Sequence, residues 1–177
     1  SLVELVFRDA TMISMRKGFT LLEIMVAVAI MIIISGASLA SFTFSQRKSR
    51  DARRKGDLSQ ISKALQVFNE DFGRYPIGDS GNVIGCKPSA VAELEACIWG
   101  DTFSAYSGGV EQLYMSKLPE DPKVGYAYYY VSDGDNFSLY AILENDKDKD
   151  YRTDLTQECV TGVTCNYLLT EYGVEIE

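Results

Sequence analysis

The sequence predicts an α+β fold: one long N-terminal helix, apolar in its first half and amphipathic in its second, packed on a small antiparallel β-sheet head. Three observations predict it. From Phe19 to Phe44 the only ionisable residue is Glu23. Leu58, Ile61, Leu65, Phe68 and Phe72 then recur at steps of three and four, the spacing of one helix face. Finally, Tyr126, Tyr128 and Tyr130 alternate ahead of the turn Asp133-Gly134-Asp135-Asn136, and Phe137 to Leu143 returns as a second strand. With 177 residues, 46% apolar and 24% charged, the chain suffices for one domain and an appendage.

Composition excludes much chemistry. The absence of histidine removes imidazole bases, paired-histidine zinc sites and the Ser/His/Asp and Cys/His nucleophile pairs. Neither of the usual glycine-rich phosphate cradles occurs. With 17 basic against 25 acidic residues and a net charge of −8, nucleic acid is not an expected partner of the head. The chain reads as structural, not enzymatic, with no catalytic residues.

Residues 1–14 show no sustained period, and translation is expected to begin at Met12 or Met15, so residues 1–14 read as a misassigned start, and residues 1–18 together precede the apolar run. Residues 19–44 read as a membrane helix, because roughly 20 apolar residues at about 1.5 Å each cross a bilayer's hydrocarbon core. A secretory signal cut near Ser35-Gly36-Ala37-Ser38 is the alternative. Residues 45–76 form the amphipathic half, which Gly73 and Tyr75-Pro76 end. Its start gathers Arg47, Lys48, Arg50, Arg53, Arg54 and Lys55 around Asp51, as a solvated helix face or as a contact for anionic headgroups or acidic neighbours. Residues 77–177 form the head. It is expected to hold a short helix around Ala90 to Ala96, the Tyr-rich hairpin, and a third strand from Asn166 to Leu169 or from Val174 to Ile176.

Two residue sets in the head suggest chemistry. Cys86, Cys97, Cys159 and Cys165 are an even set without zinc or redox spacing, and so read as disulfides formed outside the cytoplasm. Of the three connectivities, Cys86 with Cys97 and Cys159 with Cys165 closes short loops. Four buried free thiols are the alternative. A basic cluster just past an apolar segment argues for the opposite topology, with the downstream side in the cytoplasm. Asp146, Asp148 and Asp150, with Asp154 and Glu144 nearby, place oxygen donors at the alternate positions of a calcium loop, although Tyr151 stands where an EF-hand has its turn glycine. A solvated turn neutralised by Lys147 and Lys149 is the alternative.

The run Arg16-Lys17-Gly18-Phe19-Thr20-Leu21-Leu22-Glu23 resembles the leader and cleavage site of type IV prepilins and type II secretion pseudopilins. The segments Arg50 to Leu58, Gly73-Arg74-Tyr75-Pro76 and Leu118-Pro119-Glu120-Asp121-Pro122 are similar to the later helix and head of the major pseudopilin group. The resemblance implies a structural subunit of a type IV pilus or a type II secretion-type pseudopilus, cut after Gly18 by a prepilin peptidase and methylated on the new amine of Phe19. Glu23 would face the Phe19 amine of a neighbouring subunit. The topology conflict resolves with the N-terminus in the cytoplasm, one pass through the inner membrane and the head outside. Implied partners are copies of itself, minor pilins or pseudopilins, the peptidase, an inner-membrane assembly platform and membrane lipid. Major pseudopilins carry calcium in the loop after their strands, which implies calcium at Asp146, Asp148, Asp150 and Asp154. The alternative function is a membrane-anchored extracytoplasmic binding module that does not polymerise.

Overall fold

The computed structural model describes residues 18–174, and the side chains of all but 36–41 among them. The expected leader, with Arg16 and Lys17, the candidate starts Met12 and Met15, and the tail beyond Val174 lie outside the described residues. The chain divides between Phe42 and Thr43 into two compact units.

Helix α1 runs Leu21–Phe72, 52 residues. It begins on a capping arrangement, in which the Glu23 amide donates to Thr20 Oγ1 at 3.2 Å and the Ile24 amide to the Thr20 carbonyl at 3.3 Å. Thr20 thus satisfies a donor that the first helical turn leaves open, and Glu23 lies at the positive end of the helix dipole. In this first unit Leu21, Leu22, Ile24, Met25, Met31 and Ile34 all stand exposed, so the apolar residues occupy every face rather than one. Among the described residues no helix is long and apolar enough to cross a membrane.

In the second unit the predicted stripe is the core. Leu58, Ile61 and Leu65 are wholly buried and Phe68 nearly so, against Val83, Phe103, Leu118, Tyr130, Phe137 and Leu139 from the head. The strands are β1 Ile77–Asp79, β2 Asn82–Cys86, β3 Glu95–Ala96, β4 Phe103–Ser107, β5 Val110–Met115, β6 Tyr129–Ser132, β7 Phe137–Ala141, β8 Glu158–Val160, β9 Val163–Thr164, β10 Tyr167–Thr170 and β11 Gly173–Val174. The order β11-β10-β7-β6 makes a four-stranded antiparallel sheet, β1-β2-β3 a three-stranded one, and β4-β5 and β8-β9 are separate hairpins. Strand β7 buries Phe137, Leu139 and Ala141 and leaves Ser138 and Tyr140 half-buried, the period-two signature of a sheet with unequal faces. Gly73, at φ 68°, closes α1 by donating to the Asn69 carbonyl at 2.8 Å.

Disulfides join Cys86 to Cys97 and Cys159 to Cys165. The expected helix at Ala90–Ala96 is instead turns and bends entering β3, where Ile84 pairs with Ala96 and Cys86 with Glu95. Seven residues gain few helical hydrogen bonds against the cost of nucleation, and the adjacent disulfide holds the segment against β2. The hairpin starts later than the tyrosine alternation suggests. Tyr126 and Tyr128 precede β6, and Tyr128 is buried by a different anchor, its hydroxyl donating to Asp57 Oδ2 at 2.8 Å. The third strand forms at β10, as the Asn166–Leu169 reading expects, and β11 extends the same sheet.

Above the apolar core, α1 joins the head through charge. Arg54 is the largest side chain wholly out of solvent among the described residues. It grips Asp121 with two parallel bonds, Nε to Oδ2 at 2.7 Å and Nη2 to Oδ1 at 2.8 Å, and Nη1 reaches Asp51 Oδ1 at 2.6 Å and Glu144 Oε1 at 3.0 Å. Arg50 takes Glu144 bidentately at 2.6 and 2.7 Å. Asp51 accepts the amides of Glu144 and Asn145 at 2.9 Å each, fixing the loop after β7 to the helix. The Arg50 guanidinium, reinforced by Arg54, overcomes burial and holds the Glu144 carboxyl at about 2, below its ordinary 4.5.

Two predictions follow from these contacts. Leu65→Ala should destabilise the fold by about 2–5 kcal/mol in chemical denaturation, whereas Val67→Ala, two residues away and half exposed, should cost under about 0.5 kcal/mol. Glu144 binds its proton more readily in the unfolded chain. Its contribution is therefore complete above the unfolded value near 4.5 and is lost as pH falls toward 2, a change of about 3 kcal/mol. Glu144→Gln should flatten that acid limb in pH-dependent denaturation while lowering stability at pH 7.

Candidate functional site

Two regions hold the residues singled out in the sequence. At the start of the chain, Gly18, Phe19 and Thr20 precede α1, and Phe19 is 78% exposed. Among the described residues, a Cβ built on Gly18 meets nothing within 4 Å. Glu23 lies exposed in the first helical turn among apolar residues. The signal for its cap was present in the sequence as Thr20-Leu21-Leu22-Glu23, a threonine with glutamate three residues on.

The second region is the acidic loop between β7 and β8. Asp148 and Asp150 converge on one cation, the Lys55 ammonium of α1, which donates to Asp148 Oδ1 and, at 2.8 Å, to Asp150 Oδ2. Asp148 Oδ1 also accepts the Asp150 amide at 3.0 Å, so the two carboxylates are set by the turn itself. Lys55 stands 5.6 Å from the centre of the Tyr167 ring, over its face. Burial works against its charge, but the two carboxylates outweigh burial and hold its pKa above the ordinary lysine value. Asp148 is depressed in turn: burial opposes its ionisation and the Lys55 ammonium overrides it. Asp154 pairs with Arg152 instead, which lowers its pKa. Asp146 is exposed at a turn. Of the four acids expected together, the structure therefore brings two together, around an ammonium. Among the described residues no three acidic or cysteine side chains form a group able to hold a metal ion.

The basic cluster also differs from the expected outward face. Arg50, Arg54 and Lys55 turn into the head and bond Glu144, Asp121, Asp51, Asp148 and Asp150, while Arg47, Lys48 and Arg53 stay exposed. A signal for this was available. Stepping back from Leu58 by three, four and seven gives Lys55, Arg54 and Asp51, so the buried stripe continues into charged residues instead of ending.

Residues 13–39 match the prokaryotic N-terminal methylation motif. The type II secretion system core protein G of Vibrio cholerae is 32% identical over 127 residues, covering 71% of this chain and 78% of that protein. The protein of the same name from Aeromonas hydrophila is 29% identical over 140 residues, covering 78% and 88%. The type IV major pilin protein PilA of Myxococcus xanthus is 30% identical over 103 residues, covering 58% and 44%. No solved structure matches. A methylation motif over the start of α1, together with likeness over 71–78% of the chain, shows that the chain belongs to the family of type IV pilins and type II secretion major pseudopilins.

Proposed function

We infer that the chain is a structural subunit, not an enzyme, of a type IV pilus or type II secretion-type pseudopilus, and that it polymerises through the first half of α1. The observation that carries this reading is the surface of residues 21–34. Leu21 and Ile33 are each more than 70% exposed, on a helix apolar all round, and such a surface is stable only when lipid or other helices cover it. Residues 19–44 would cross the inner membrane once, with the N-terminus in the cytoplasm and the disulfide-bonded head outside, until the subunit enters the filament. Partners in this reading are further copies of the chain, minor pilins or pseudopilins, a prepilin peptidase, an inner-membrane assembly platform and membrane lipid.

The peptidase would use Arg16 and Lys17 as the basic flank, cut after Gly18, and leave Phe19 to be methylated. No described residue crowds Gly18, which supports a requirement for a small residue that comes from an enzyme reading the segment. Glu23 supplies the assembly contact. A carboxylate placed in hydrocarbon costs about 2.5–3.5 kcal/mol on insertion scales, and pairing with the Phe19 amine of the next subunit offsets that cost where the dielectric is low.

Mass spectrometry of the chain from its native membrane should find methylated Phe19 at the N-terminus. An intact leader would favour the anchored binding module that does not polymerise. Glu23→Ala should leave membrane insertion intact or improved. It should lower filament yield at least tenfold, because losing one partner of a buried pair costs about 3–5 kcal/mol. Normal filament yield from that variant would refute the pairing.

A further inference from the structure

The spacing of Asp146, Asp148, Asp150 and Asp154 and the family resemblance both point to a divalent cation, and the side chains are not arranged for one. Lys55 Nζ sits between the Asp148 and Asp150 carboxylates, and Asp154 is engaged by Arg152. We propose that Lys55 is a tethered cation that takes the place of calcium in this loop, so that the head needs no divalent ion to hold residues 144–152 in shape.

A calcium ion in a loop does three things: it neutralises gathered carboxylates, fixes the backbone that carries them, and ties the loop to its surroundings. Each is done here by the chain. Neutralisation comes from Lys55, 2.8 Å from Asp150, which is 8% exposed and otherwise has only the solvent-exposed Lys149 ammonium, at 3.8 Å, to answer its charge. The loop's entry is fixed by Asp51, which accepts the Glu144 and Asn145 amides, and by Asn166, whose side chain accepts the Leu143 amide at 2.6 Å and donates to the Leu143 carbonyl at 3.0 Å. Its exit is fixed where the Arg152 amide donates to the Asn166 carbonyl at 2.8 Å. The tie to the helix is Lys55 itself, one residue after Arg54. An ammonium on a side chain cannot be chelated or diluted away, so the loop keeps its cation when free divalent ions are removed. The inference concerns the head alone and holds whether or not the chain polymerises.

The test is thermal unfolding of the full oxidised chain in detergent micelles, followed by the near-ultraviolet circular dichroism of its tyrosines, in millimolar calcium and in EGTA. The unmutated chain and Lys55→Arg should melt at the same temperature in both. Lys55→Met leaves two carboxylates facing each other. It should melt lower in EGTA by about 5 °C or more and regain part of that loss in calcium, because an ion that binds only the folded state stabilises it. Calcium raising the melting temperature of the unmutated chain by several degrees would overturn the proposal. So would Lys55→Met melting like the unmutated chain in EGTA, or showing no recovery in calcium. If Lys55→Met does not fold, the unmutated and Lys55→Arg arms still decide the matter: a calcium response in either overturns it, and indifference in both supports it.

Discussion

The head takes its position from one buried guanidinium. Arg54 is fully out of solvent, and a charge in that position is tolerable only if its surroundings answer it group by group. Asp121 does so from the loop after β5, Glu144 from the loop after β7, and Asp51 from the same helix one turn earlier. Because Arg54 presents its donors in a rigid plane, the three carboxylates must come to fixed places, and two loops distant in sequence are brought to one turn of α1. Asp51 then uses its remaining acceptor capacity to seat the loop that leads to the acidic turn. Among the described residues no buried side-chain nitrogen or oxygen lacks a partner, as such a network requires.

The helix thus works by two kinds of contact in series. From Leu58 to Phe68 it binds the head by apolar burial, which is tolerant of small shifts. From Arg50 to Lys55 it binds by directional ion pairs, which are not. The apolar part supplies most of the attraction and the charged part supplies register along the helix. A slip of the helix against the head would carry Arg54 away from Asp121 and Glu144, while Asp51 would move with it.

The apolar features were legible because they are periodic. The stripe from Leu58 to Phe72 and the return strand from Phe137 follow from spacing, and spacing favoured the short-loop cysteine pairs that the structure shows. The charged features were not, since an arginine facing solvent and one facing three carboxylates have the same letter, and the partners of Arg54 lie far along the chain. The acidic loop misled for the same reason. Alternating aspartates specify a need for positive charge without saying whether an ion or Lys55 meets it. The segment at Ala90–Ala96 has helical composition, but its length and its neighbouring disulfide decide against a helix.

The two disulfides join cysteines that are nearest neighbours along the chain, with separations of 11 and 6 residues. Thiols that close in sequence meet far more often in an unfolded chain than thiols at opposite ends of a head, because loop closure grows less probable with length. The first pair also leaves the ribosome together, before either cysteine of the second pair exists to compete with it. Native connectivity is therefore the statistically favoured one even before the core forms, so oxidation of the unfolded chain leans toward the native bonds.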